Sequence, residues 1–116
     1  VRDQSELAGR LRVTIEAADP AHRSLIVRWT PADAETARSR FEYARLFVAA
    51  VGDPQRTYLD IVDGKPWAAV RLPDTLAVGA YVIEVDAYGS ASWGDGRLEA
   101  RGRSDPFPIG SIEPVG

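Results

Sequence analysis

Few residues of this chain could do covalent chemistry. His22 is the sole histidine, and there is no cysteine. Disulfides, thiolate metal sites and cysteine nucleophiles are therefore excluded. His22 lies in Asp19-Pro20-Ala21-His22-Arg23, a run of turn residues. A catalytic triad needs a base held against a nucleophile and oriented by a third group. No serine motif near His22 suggests that, so an exposed turn histidine is expected. The acids Asp60, Asp63, Asp86, Asp95 and Asp105 are the next candidates. Calcium takes roughly six to eight oxygens, often from acids spaced along one loop. Asp95 sits in Gly94-Asp95-Gly96 and Asp105 follows the same hairpin, but the alternating-acid calcium loop is absent. Plain turn aspartates are expected, with no metal and no cofactor. Nothing places two carboxyls across a cleft, as a glycosidase would require. The chain reads as a non-enzyme.

Non-covalent recognition has better material. Trp93 stands in Ser92-Trp93-Gly94-Asp95-Gly96-Arg97. An aromatic in a glycine-rich loop either stacks on a ligand or folds over the end of the domain. With Asp95 and Arg97 it makes a minimal sugar- or partner-binding set. The second candidate is the stretch from 40 to 51. Read as a strand, it puts Phe41, Tyr43, Arg45 and Phe47 on one side and Glu42, Ala44, Leu46 and Val48 on the other. Both sides are substantially apolar, whereas a strand with one wet face alternates. Something must cover the second side: the 31–39 segment of the same chain, or a partner. Tyr, Phe and Arg are the types enriched in interface cores, so this strip is a candidate self-association or docking surface. The cluster Arg97, Arg101 and Arg103 is diluted by Glu99 and Asp105 and reads as a solvated hairpin face.

The elements that position these residues are strands. Leu11-Arg-Val13-Thr-Ile15-Glu-Ala17 alternates strictly, as a half-buried strand does. Ser24 to Pro31 follows, with Leu25, Val27 and Trp29 on one face. Thr30-Pro31-Ala32-Asp33 resembles a helix start, and a short helical turn is expected within 31–38 before the strand at 40–51. Thr57–Val62 and Trp67–Leu72 are the next strands, separated by Asp63-Gly64. Trp67 is out of phase with Val70 and Leu72, so it points to the other face. Residues 80–89 form a strand with Tyr81, Ile83, Val85 and Ala87 on one side and Glu84, Asp86 and Tyr88 on the other. Residues 90–102 read as a loop or a poorly regular hairpin. Asp105-Pro-Phe107-Pro-Ile109 is a last strand, confined by its prolines to an edge or to bulged pairing. Tyr81 opens its strand after a turn, the pattern of a tyrosine corner.

These signals predict an all-β, immunoglobulin-like or fibronectin-III-like antiparallel sandwich of about seven strands. The 116 residues suit one domain over 11–109, with a lead-in over 1–10 and a tail or linker over 110–116. The net charge of −3 argues against nucleic-acid binding, which needs a basic phosphate-facing surface. No apolar run approaches the ~20 residues that span a bilayer, so no membrane insertion is expected.

Val27-Arg-Trp29 with Pro31 resembles the second strand of a fibronectin type III domain. Leu76, Gly79, Tyr81, Val85 and Ala87 resemble that fold's corner and following strand. The pattern Trp29, Pro73-Asp-Thr-Leu76-Ala-Val-Gly79-Ala-Tyr81-Val-Ile83-Glu-Val85 and Ser104-Asp-Pro106-Phe107-Pro-Ile109 is similar to the Ig-like domain of the Ser/Thr-rich, GPI-anchored cell-wall family and its bacterial and archaeal surface-protein relatives. The stretch 31–50 is longer and richer in Ala and Arg than that family's usual connection, and there is no Ser/Thr-rich flank. The resemblance implies a non-catalytic structural or protein-interaction module in an extracellular, cell-surface or virion-surface setting. A virion decoration or tail protein and a carbohydrate-binding module using Trp93 are the alternatives. A protein partner or self-association is expected.

Overall fold

The computed structural model describes residues 9–19, 23–37, 41–63, 65–89 and 98–109. Eight strands and one helical turn follow in chain order: β1 (Gly9–Asp19), β2 (Ser24–Pro31), α1 (Ala34–Ala37), β3 (Tyr43–Ala50), β4 (Thr57–Asp63), β5 (Trp67–Arg71), β6 (Gly79–Tyr88), β7 (Leu98–Arg103) and β8 (Phe107–Ile109). The hydrogen-bonded order is β4-β3-β6-β7-β1-β2-β5, with β8 on β6. The chain is an all-β, Ig-like sandwich that is nearly closed. One layer is β4-β3-β6-β7 with β8, and the other is β1-β2-β5. All the pairings are antiparallel except β1 with β7, which joins the layers in parallel. The two ends of the path, β4 and β5, lie against each other without pairing.

The core follows the expected alternation. Val13, Leu25, Val27, Trp29, Val70, Leu72, Tyr81, Ile83 and Val85 are buried in one cluster. Ile15 and Phe107 pack on it half-buried. The inward side of β3 adds Ala44, Leu46 and Val48, which settles the orientation that its two apolar sides left open. The tyrosine corner is formed: the Tyr81 hydroxyl donates to the Ala77 carbonyl at 2.6 Å. The Arg23 guanidinium donates to the carbonyls of Pro73 and Leu76 at 2.9 and 3.1 Å, tying the β1–β2 turn to the connection that leads into the corner.

The described part of the stretch 90–102 takes the second of its two expected forms, a poorly regular hairpin: Leu98–Arg103 is β7 and pairs antiparallel with β6 through a register shift. Its inward residues are Ala100 and Gly102, both buried, so the hydrophobic alternation that marks a strand is missing. Two expectations need correction. The described part of the 31–39 segment does not cover β3. Its helical turn packs on β1 and β2, where the Thr36 hydroxyl accepts the Arg10 N–H at 2.9 Å. Phe41 does not share a side with Tyr43 and Phe47. It precedes β3, so period two does not reach it, and it packs on the core.

The prolines of the last strand act as expected. β8 pairs only with β6, with Pro108 opposite Ala80. Between β7 and β8 the buried Ser104 keeps the ladder closed. Its backbone N–H donates to the Ile83 carbonyl at 2.8 Å, and its hydroxyl accepts the Ile83 N–H at 2.9 Å. Among the described residues, no helix is long and apolar enough to cross a membrane.

Candidate functional site

The outward side of the β4-β3-β6-β7 layer is built in three cross-strand rows. Register puts Tyr43 beside Tyr88, Arg45 beside Asp86, and Phe47 beside Glu84. On the far side of β6, Asp86 meets Arg101 and Glu84 meets Arg103. On β4, Tyr58 lies beside Phe47, Ile61 beside Arg45, and Asp63 beside Tyr43. Tyr58 and Ile61 are three residues apart yet on one face, because the register shifts between Leu46 and Phe47. Such a bulge adds a residue to one strand and re-aims its side chains.

Two carboxylates sit at the centre of this face on β6. Asp86 is 1% exposed and Glu84 is 7% exposed. Burying two like charges at alternate positions costs several kcal/mol per ion unless each is paired. Three arginines supply the pairing. Arg101 grips Asp86 with Nε–Oδ1 at 2.9 Å and Nη2–Oδ2 at 3.2 Å, the two-pronged geometry that makes strong ion pairs. Arg103 donates from Nε and Nη2 to Glu84 Oε2 at 3.0 and 2.6 Å. Arg56 Nη1 bridges both acids, at 3.2 Å from Glu84 Oε1 and 3.2 Å from Asp86 Oδ2. Hydrogen bonding to Asp86 raises the Arg101 pKa above its already high ordinary value, so Arg101 stays a cation. Among the described residues, no buried side-chain polar atom lacks a partner.

The aromatic rings form the rest of the surface. Tyr43 and Tyr88 stack with centroids 4.9 Å apart and planes 5° off parallel. The Arg45 guanidinium lies over both, 5.8 and 5.2 Å from their centroids. Phe47 meets Tyr58 edge-on at 5.9 Å, and Arg56 lies 3.8 Å over the Phe47 ring. Each such cation–ring contact contributes about 0.5–1 kcal/mol when exposed. Together they hold long side chains in fixed positions. Tyr58 remains 52% exposed and Ile61 46%.

The free edge of this layer is protected. β4 pairs only with β3, and an open edge invites pairing with another chain. The Asp60 carboxylate accepts the Ile61 N–H at 2.8 Å, so a charged group occupies that edge donor.

Of the sequence-predicted site residues, the structure brings Tyr43, Arg45 and Phe47 together and leaves Phe41 apart. Trp93, Asp95 and Arg97 lie outside the described residues, as does His22. Sequence reasoning missed Tyr58, Ile61 and Arg56, and it read Arg101 and Arg103 as a solvated face. The alternation of Glu84, Asp86 and Tyr88 was visible, but their partners emerge only once the strands are in register. Among the described residues, no group of His, Cys, Asp or Glu is arranged to hold a metal ion.

No protein-family model matches the chain, and no curated protein matches it. Solved structures share the fold, among them two of titin domains. One is titled "Titin kinase and its flanking domains", with 17% identity and a TM-score of 0.59, over 87% of this chain and 17% of that one. The other is "Crystal structure of domains A168-A170 from titin", with 16% identity and a TM-score of 0.60, over 88% of this chain and 31% of that one. The chain therefore spans less than a third of either structure, and the likeness is one of fold: an Ig-like sandwich.

Proposed function

We propose that this chain is a non-catalytic interaction module that docks a protein partner through the outward face of β4-β3-β6-β7. One observation carries the reading. Tyr43, Tyr88, Phe47 and Tyr58 are held in place by stacking and by arginines laid over them, yet the described parts of the chain leave Tyr58 and Ile61 open. Binding energy concentrates on rigid aromatic and arginine side chains, because pre-ordered groups lose less entropy on association. The buried acids fit the same role. They lock β6 and β7 to each other and to Arg56, just before β4, so the platform keeps its shape.

The Ig-like fold supports a structural or binding role only in general terms, since one scaffold serves many functions. The setting we propose is a surface or extracellular assembly of several domains. It rests on the motif resemblance carried by Trp29, Leu76–Val85 and Ser104–Ile109. A virion decoration or tail protein would use the same face against a capsid neighbour. A carbohydrate-binding role would rest on Trp93, Asp95 and Arg97, and a glycan-array signal lost in Trp93→Ala would favour it.

The test is the double variant Tyr58→Asp with Ile61→Asp. Both residues are about half exposed, so the change removes a ring contact and strand propensity but no core side chain, at a cost of about 1–2 kcal/mol. The variant should still unfold cooperatively and lose at least about tenfold in affinity for a partner that binds the parent. Unchanged binding with an intact fold would refute the face. Loss of cooperative melting would show that these side chains belong to the core.

A further inference from the structure

We infer that the segment docked on this face is an extended polypeptide carrying carboxylates at alternate positions, preceded by an apolar residue. The inference rests on the docking reading above and names the partner's chemistry.

Charge is the first argument. The chain as a whole carries a net −3. On this face the described side chains bring four guanidiniums, Arg45, Arg56, Arg101 and Arg103, against Glu84, Asp86 and Asp63. Two of those three acids are buried beneath the arginines, and Asp63 stands at the end of β4. Four guanidiniums thus cluster with these carboxylates on one face of a molecule that is acidic as a whole. An acidic partner is repelled elsewhere and steered here, the arrangement that fixes orientation in protein association.

Geometry is the second. Arg101 and Arg103 spend Nε and Nη2 on the acids, and no described residue accepts from their Nη1 groups. Their side chains are 50% and 67% exposed. Arg45 lies on two tyrosine rings and has no carboxylate within ion-pair distance among the described residues. Arg101 and Arg103 are alternate residues of β7, so they repeat at about 7 Å. An extended segment repeats its same-side groups at that spacing, and carboxylates two residues apart would meet both.

A depression supplies the third argument. Beyond the Glu84–Arg103 row the face steps down into an open hollow of ≈ 400 Å³, lined by Ala49, Val82, Pro54 and Pro106 together with Asp53, Glu84 and Ser104. Arg103 also lines it. Ala49 lies opposite Val82 in the next outward row. Along the strand direction the order is the apolar Ala49–Val82 row, Arg103, then Arg101 with Arg45. The matching segment reads apolar, any, acid, any, acid. A nucleic acid or sulfated glycan fits less well, because Glu84, Asp86 and Asp63 lie within the face and the chain's net charge opposes a polyanion.

The experiment is selection of a displayed random-peptide library on the purified chain. A synthetic Leu-Thr-Glu-Thr-Glu peptide and its Leu-Thr-Gln-Thr-Gln counterpart are then titrated by fluorescence anisotropy. Enrichment of the apolar-x-acid-x-acid pattern is expected. The glutamate peptide should bind at least about tenfold tighter than the glutamine one, weaken with added salt, and weaken severalfold on Arg45→Gln with melting still cooperative. Arg45 stands outside the buried ion-pair network, so this variant keeps the fold. Selected peptides without acids that are lost on Tyr58→Asp would overturn the acidic partner and leave the docking face standing. No enrichment, or binding indifferent to both variants, would overturn both. Displacement of the peptide by heparin or single-stranded DNA at lower concentration would overturn the inference in favour of a polyanion. A dimer in sedimentation that occludes the peptide would overturn it in favour of a second copy.

Discussion

Replacing Trp29 with alanine should destabilise the sandwich by about 3–5 kcal/mol, the usual cost of emptying a buried aromatic site. Trp29 is 5% exposed, lies opposite Val13 across β1–β2, and donates its backbone N–H to the Pro66 carbonyl at 2.9 Å. Its side chain lines a hollow of ≈ 220 Å³ with Leu11, Pro31 and Phe41. The hollow already opens to solvent there, and removing the indole would enlarge it where β2 meets the start of β3. Natural domains hold roughly 5–15 kcal/mol in total, so the variant loses a large share of its stability. Denaturant unfolding followed by fluorescence measures the change. A loss below about 1 kcal/mol would mean that Trp29 is not a core residue.

The second large effect is expected at Gly102. This glycine of β7 pairs with Leu11 of β1 in parallel and with Val85 of β6. A Cβ placed on it would lie 2.8 Å from both Leu11 Cβ and Val13 Cγ2, and closer still to the Leu11 carbonyl oxygen. Backbone cannot swing aside as a long side chain can, so β1 must shift. Gly102→Ala should cost about 1–3 kcal/mol as an overpacking change, and Gly102→Val more. The β1–β7 ladder is the seam between the layers, so amide exchange at Leu11 and Arg12 should accelerate before exchange in β6 does. Unaltered stability and exchange would show that β1 and β7 do not pair closely.

That same glycine explains part of what the sequence conceals. β1, β2 and β6 are legible because bulky residues alternate with polar ones: Leu25, Val27 and Trp29 on β2, and Ile83 and Val85 against Glu84 and Asp86 on β6. In β7 the core-facing residues are Ala100 and Gly102, chosen by the close approach of β1, so no hydrophobic period remains to be read. The parallel β1–β7 seam is a long-range pairing with no local signature.

The face divides the same way. Tyr43, Arg45 and Phe47 follow from period two within one strand. Tyr58 and Ile61 do not, since the bulge beside Phe47 breaks the period on β4. The ion pairs of Asp86 with Arg101 and Glu84 with Arg103 span 15 and 19 residues of sequence. Only the register of β6 against β7 brings them together. Arg101 and Arg103 look like surface decoration in the sequence because their partners are buried on another strand.

The account's central claim is that a partner sits on the outward face of β4-β3-β6-β7. Site-specific photocrosslinking tests it most directly. A photoreactive residue is placed at Ile61, on that face, or at Ile26, an exposed residue of β2 in the other layer, and the chain is irradiated in its native assembly. The account predicts a discrete crosslinked product from position 61 and none from position 26. A product from position 26 with none from position 61 would contradict it.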